Sequence, residues 1–359
     1  MIQNTRSKRS GTLDLLRFFA VFMVFLAHYT DTFNYIYKIV PANLKWLKVS
    51  CYAPLALIVF FIVSGYVVTM TSLKRDIKEF TITRLSRIYP LFWVSCIVAF
   101  ILPRLISHSY LAYTSSKILL VNLTMIPSVF GYQMINPVFH TLAIELFFYI
   151  FIGLIIIFKL WNRIIPIIAI LLLYCLFTAY QQVISLNFVV LPFTAGMLFF
   201  FISVNYTEKW KLYTLLALNF FCQIAITKPL QKQLCQFYKE PEIVSTWMIV
   251  TLIFLCYGVF TLVANRKLHI ESRPLYKTLG EVAYPFYLFH IYFLCFYWYF
   301  RDKIQPDLLL FLVFMAIISV SWLINIILEK PISKIAHQVL TVTFNYIIKK
   351  KEVYENRKL

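Results

Sequence analysis

Apolar positions along this chain fall in long unbroken runs of about 17 to 22 residues, the length of a membrane span and too apolar all round for the one-sided stripe of a soluble helix. Ten runs predict helices over 13–30, 52–73, 88–107, 138–158, 164–180, 187–203, 211–227, 244–264, 280–300 and 308–328. The seventh is the most diluted, by Asn219 and Gln223. The polar stretches between them hold no linker rich in Gly, Pro or Ser and no internal repeat. The pattern predicts an all-α polytopic bundle of about ten helices over residues 1–335, then a short basic tail over 336–359 with Lys349, Lys350 and Lys351. Arg6, Lys8 and Arg9 before the first run give it the outline of a signal peptide. Asp14 and Arg17 interrupt that run and no small-x-small cleavage site follows, so an uncleaved first helix is expected.

Composition agrees: 61% of the 359 residues are hydrophobic and only 14% charged, which excludes a soluble enzyme, a disordered chain and a fibrous repeat. The net charge of +19 would suit nucleic acid on a soluble domain, but here it sorts by loop. With the N-terminus inside, inner segments carry 23 Lys and Arg and outer segments 10, with Arg17 inside the first run completing the 34. That bias places both termini in the cytoplasm, requires an even number of spans and suits a multi-pass protein of the plasma membrane. Of seven cysteines, Cys51 and Cys235 fall in or near outer loops, where a bridge and two thiols are both open. No Cys-x-x-Cys or His-rich pattern suggests a metal, and none is expected.

Ionisable groups within the runs are costly and each asks for an explanation. They are Asp14, Arg17, His28, His140, Glu145, Glu281, His290 and Glu329. Asp14, Arg17 and His28 share one face of the first helix, but His28 lies about 22 Å above its start, so Asp14 can pair only with Arg17 or another group near the cytoplasm. Glu145 lies about 10 Å below the outer face and His28 about 8 Å below it, in a core of about 30 Å. A carboxylate at that depth would orient an imidazole and raise its basicity, as a general base requires. Near the cytoplasm, Arg17, Arg84 and Arg87, followed by Tyr89-Pro90, form a second layer suited to phosphate oxygens. Ser64-Gly65 would let a backbone or a thin ligand pass close. A long donor with a phosphorylated head, such as acyl-coenzyme A, would bridge the layers. Plainer readings stand beside these: the arginines as ordinary inner-side charge, His28 as a hydrogen bond between helices, His290 among Tyr287, Phe289 and Tyr292 as packing, and Glu329 paired with a basic neighbour.

The string Leu13-Asp14-x-x-Arg17-x-x-Ala20, ending at His28, resembles the opening motif of the acyltransferase-3 family of membrane-bound O-acyltransferases. Further segments follow in the family's order: Phe60-Phe61-Ile62-Val63-Ser64-Gly65-Tyr66, Arg84-Leu85-Ser86-Arg87-Ile88-Tyr89-Pro90, Thr141-Leu142-Ala143-Ile144-Glu145 with Phe148-Tyr149, Leu279-Gly280 through His290, and Glu329-Lys330-Pro331. The resemblance implies transfer of an acyl group, commonly acetyl, from cytoplasmic acyl-coenzyme A to a hydroxyl on the outer side, as in O-acetylation of polysaccharide or lipopolysaccharide. It puts His28 in the place of the family's essential histidine, Glu145 in that of its acidic residue and Arg17, Arg84 and Arg87 in those of its arginines, with Tyr89 and Ser64 in its donor-side strings. The sequence departs from the pattern at Phe18, His140, Ala143, Ala283 and Tyr292, none of which is one of the acid/base residues. About 30 residues follow the last run, so action alone or with a separate partner on a surface glycan or lipid-linked sugar is expected. The outer stretch 108–137, with Tyr110, Tyr113, Asn122 and Tyr132, is long enough to contact a sugar. An exporter or polymerase would share the composition, but a transporter would show broken half-helices or a continuous polar path rather than two clustered layers.

Overall fold

Backbone N–H and C=O groups cannot be left unpaired in hydrocarbon, so a chain this apolar is driven to helices. The computed structural model describes residues 9–32, 47–106, 111, 113–181, 184–239 and 242–356, and among them no strand forms beyond a single Ser10–Glu271 bridge. The helices are α1 (Gly11–Ala27), α2 (Ala56–Ser72), α3 (Ile77–Leu105), α4 (Ser116–Asn122), α5 (His140–Ile157), α6 (Ile164–Tyr180) and α7 (Ile184–Ser203). They continue as α8 (Lys209–Ala225), α9 (Thr227–Tyr238), α10 (Thr246–Ala264), α11 (Pro274–Phe289), α12 (Leu294–Phe300), α13 (Pro306–Ile324) and α14 (Lys330–Asn356). Nine helical segments among the described residues are long and apolar enough to cross a membrane, and the protein is an all-α multi-pass membrane protein.

The seventh expected span is present as α8 but measures only 17 residues, about 26 Å. It stops at Ile226, and Thr227 starts the polar-faced α9. The Asn219 that dilutes it is fully buried and bonded: its Nδ2 donates to Thr194 Oγ1 at 2.8 Å and to Leu191 O at 3.0 Å, and Tyr257 donates to its Oδ1 at 2.5 Å.

The chain divides into two compact units: the described residues up to Thr71 with Trp161–Ile317, and Ser72–Leu160 with the residues from Ile318 onward. In the first, α1 packs along α11, and α8 packs against α6, α7 and α10. Glycine sets one of its seams: a Cβ on Gly65 would lie 2.3 Å from Phe193 O, and one on Gly196 would lie 2.2 Å from Ile62 O. The close approach expected at Ser64-Gly65 is therefore that of another backbone, on α7. No disulfide joins Cys51 and Cys235; Cys51 Sγ lies 3.6 Å from Ile243 O, and Cys235 Sγ 3.9 Å from Val244 O.

In the second unit α3 starts well before residue 88, because Asp76 caps it, accepting from Glu79 N at 2.7 Å, and Arg75 pairs with Glu79 at 3.1 Å. The residues expected as a tail are helical as far as Asn356. A π-helical turn, Asn325–Glu329, carries the chain into α14, which packs along α3 with Lys78 Nζ donating to Asn345 Oδ1.

Candidate active site

The start of α1 is tied down by charge. Ser10 caps it, accepting from Leu13 N at 3.5 Å. Arg9 then binds in three directions: Nε to Asp14 Oδ2 at 2.6 Å, Nη1 to Glu281 Oε1 at 2.9 Å and Nη2 to Lys277 O at 3.0 Å. Burial by itself lowers the Arg9 guanidinium, but the two carboxylates outweigh it and hold it above its ordinary value. The buried Asp14 thus pairs with Arg9, and the clamp joins the N-terminal parts of α1 and α11. Gly280 makes room for it, since a Cβ there would lie 2.3 Å from Asp14 Oδ1.

Both helices change geometry where they reach the histidines. After Ala27, α1 becomes a π-helical turn, His28–Thr32, and after Phe289, α11 becomes a 3-10 turn, His290–Phe293. His28 Nδ1 lies 2.8 Å from His290 Nε2, with the rings 5.1 Å apart and within 3° of parallel. His290 Nδ1 lies 2.7 Å from Tyr287 O, and the Tyr29 hydroxyl donates to His290 O at 2.6 Å. Phe25 and Phe286 pack 5.9 Å apart beside the pair, and Phe286 stacks on His290. His290 is fully buried and His28 only partly so. An imidazole held by a second imidazole, in an apolar wall with one ring still partly exposed, is equipped to move a proton.

In the second unit, Tyr149 donates to Glu145 Oε1 at 2.7 Å, and the buried Arg84 guanidinium sits 5.3 Å from the Tyr149 ring and 5.6 Å from that of Phe80. Arg84 and Arg87 part company: Arg87 is exposed and, with Ser86, lines a cleft of about 520 Å³ against Glu329, Lys330, Ser333, Lys334, His337 and Gln338. The α14 residues recur at helical spacing, so one stripe of that helix offers amines, an imidazole, a hydroxyl and an amide. Tyr89 donates to Thr124 O at 3.1 Å, pinning the turn after α4.

A family model described as an acyltransferase domain matches residues 11–326. The chain belongs to that family. Comparison with curated proteins and with solved structures gives no match. The protein is thus a membrane acyltransferase, and the matched stretch holds both histidines, Glu145 and all three candidate arginines.

Among the residues expected in this acyltransferase's site, Arg17 is partly buried on α1, and Ser64 is buried on α2 beside the glycine seam. Tyr110 lies outside the described residues. Asn122 is spent on structure: its Nδ2 donates to Ile118 O at 2.9 Å and Gln133 O at 3.1 Å, and its Oδ1 accepts from Ile135 N at 2.9 Å. Tyr113 is 72% exposed with Arg104 4.1 Å over its ring, and Tyr132 faces Lys117. The sequence reading missed two things. His290, matched to a family string but weighed as packing, meets His28, and Arg9, counted only as arm charge, is the clamp. Contacts 262 residues apart leave no mark in local periodicity.

Proposed function

We propose that this acyltransferase moves an acyl group, acetyl in the first instance, from cytoplasmic acyl-coenzyme A to a hydroxyl of a surface glycan or its lipid-linked precursor. The membrane would be the plasma membrane, with both termini in the cytoplasm, as the loop charges favour. The observation that carries the reading is the partly exposed His28 ring held at 2.8 Å by His290. In this reaction His28 takes the proton of the acceptor hydroxyl while its oxygen attacks the thioester carbonyl. The C–S bond breaks, and the departing thiolate receives a proton from the imidazolium. A positioned base of this kind is worth about 10²–10⁴-fold.

The donor's phosphates are assigned to the arginines. Arg17 lies on the same helix as His28, about 16 Å along its axis, a distance that suits a thin donor arm. Arg87 gains Lys330 and Lys334 as neighbours in the α14 cleft, whose basic and hydroxyl groups fit phosphate oxygens. Glu145 is assigned to turnover through the Tyr149–Arg84 cluster it anchors. Ser64 and Tyr89 support these elements.

The test is mass spectrometry of surface glycan from cells with the intact protein, without it, and with His28→Ala at equal membrane level. An acyl mass increment present only with the intact protein supports the reading and names the acyl group. Unchanged mass with lost or shortened polysaccharide points instead to export or polymerisation.

A further inference from the structure

We infer that His290 is a positioning residue that fixes the tautomer of His28 and shares the proton His28 takes up; this rests on the reading of His28 as the base. The reasoning is hydrogen-bond bookkeeping. Tyr287 O is a carbonyl in the last turn of α11, where the helix ends and its carbonyls turn to donors outside the regular ladder. It can only accept, so the His290 Nδ1 at 2.7 Å carries the hydrogen. A neutral His290 then has a lone pair on Nε2. The His28 Nδ1 at 2.8 Å from that lone pair must be the donor. His28 therefore has its hydrogen on Nδ1 and its basic lone pair on Nε2. A helix end thus dictates, through two rings, which nitrogen of His28 is the base.

The same bonds survive when the proton arrives. Protonation of His28 at Nε2 leaves Nδ1–H donating to His290 Nε2. Transfer of that hydrogen across the 2.8 Å contact gives a His290 cation that donates from Nε2 to His28 and from Nδ1 to Tyr287 O. Both hydrogens within the His28–His290–Tyr287 chain keep an acceptor in either form, and the added Nε2–H of His28 is the one returned to the departing thiolate. A second added proton would set two N–H groups against each other across the contact. The pair therefore holds one proton, taken from the acceptor hydroxyl and returned to the leaving thiolate. Tyr29, next to His28, holds the His290 carbonyl at 2.6 Å and keeps the two turns in register.

Without the His290 acceptor, the Nδ1–H of His28 loses the bond that holds the hydrogen there. The other tautomer blocks Nε2, and a buried donor left without an acceptor carries a penalty. The experiment is steady-state acyl transfer by purified full-length protein in lipid nanodiscs, with His290→Leu, His290→Gln, His28→Ala and the double variant His28→Ala/His290→Leu. Gln places an acceptor oxygen near the position of Nε2, whereas Leu places none. His290→Leu should lower kcat about 10- to 100-fold with both KM values within about twofold, since the tautomer of the base governs the chemical step and not substrate binding. His290→Gln should recover most of that loss, and the double variant should be no slower than His28→Ala alone. Full activity in His290→Leu, equal loss in Leu and Gln, or an additive double variant overturns the inference. Near-normal transfer by His28→Ala overturns the reading of His28 as base, a distinguishable result. Should His290→Leu fail to fold, the kcat and KM of His290→Gln and Tyr29→Phe decide: kcat unchanged in both, or KM raised as much as kcat falls, overturns it.

Discussion

Gly280→Ala tests whether the Arg9–Asp14 clamp governs the chemistry farther along the same helices. A Cβ at residue 280 would lie 2.3 Å from Asp14 Oδ1, 2.6 Å from its Cγ and 2.7 Å from its Cβ, where ordinary contact begins at 3.4 Å. Asp14 must therefore retreat by about 1.1 Å, the difference between 3.4 and 2.3 Å. It is buried, and Arg9 grips it at 2.6 Å, so the shift falls on the spacing of α1 and α11. Overpacking of this size costs about 1–3 kcal/mol. Strain on the Arg9 pair adds a few tenths to 1 kcal/mol, Arg9 being partly exposed. The histidines lie at the far ends of these two helices, and misplacement by about 1 Å can cost about 100-fold in rate. The expected outcome is a thermal midpoint lower by several degrees and kcat reduced at least tenfold, measured on nanodisc protein by intrinsic fluorescence and acyl transfer. Asp14→Gly removes the three atoms nearest the added carbon, so adding Gly280→Ala to it should cost much less than in the native background. Gly280→Ala with unchanged midpoint and rate would refute the reasoning, as would a full additional loss in the double variant.

Gly65→Ala and Gly196→Ala, each driving a Cβ to within 2.3 Å of backbone across the α2–α7 seam, should sharply reduce the yield of folded protein. Gly258→Ala, with nothing within 4 Å of the added carbon, should leave yield unchanged or raise stability by about 0.5–1 kcal/mol; thermal melts of the three variants check both. Asn219→Leu strips the Tyr257 hydroxyl of its acceptor and should cost about 0.6–2 kcal/mol, with Tyr257→Phe costing less, both read from melting midpoints. Lys330→Ala with Lys334→Ala should raise the KM for acyl-coenzyme A about threefold to tenfold with kcat little changed; donor titration at saturating acceptor checks this, and an unchanged KM removes the cleft from the donor site.

What the sequence disclosed tracks the range of the interaction concerned. Span positions were legible because burial in lipid acts on each run separately, and nine of the ten expected runs form helical segments long and apolar enough to cross a membrane. The remaining run, α8, was flagged by Asn219 and Gln223, and the polarity of Asn219 is explained only by its buried network with Thr194 and Tyr257. Capping by Asp76 is local, yet it escaped the reading, because hydropathy ignores the polar helical turns that precede an apolar run. The α14 helix escaped for the same reason: its mixed stripe reads as a tail until α3 is seen beside it. Spacing identified His28 as an ionisable group needing an explanation, but the identity of its Nδ1 partner is a tertiary fact. The sequence reading proposed Glu145 to orient the ring and named no nitrogen; in the structure His290 lies 2.8 Å from Nδ1.

The irregular helix ends explain why histidines can be kept in so apolar a setting. A fully buried ring with two nitrogens, set against Phe286 and Tyr287, needs two partners or carries a desolvation penalty. A regular α-helix offers none, because its carbonyls are already paired along its length. Ending α11 at Phe289 leaves Tyr287 O available to one nitrogen of His290, and the π-helical turn after Ala27 brings His28 to the other. Tyr29 then takes the His290 carbonyl, so the change of helix type does not leave that acceptor bare. Two breaks in helical regularity and one tyrosine thus satisfy a buried imidazole completely and leave its partner ring partly exposed. The irregular turns are therefore the places where both rings find their polar partners.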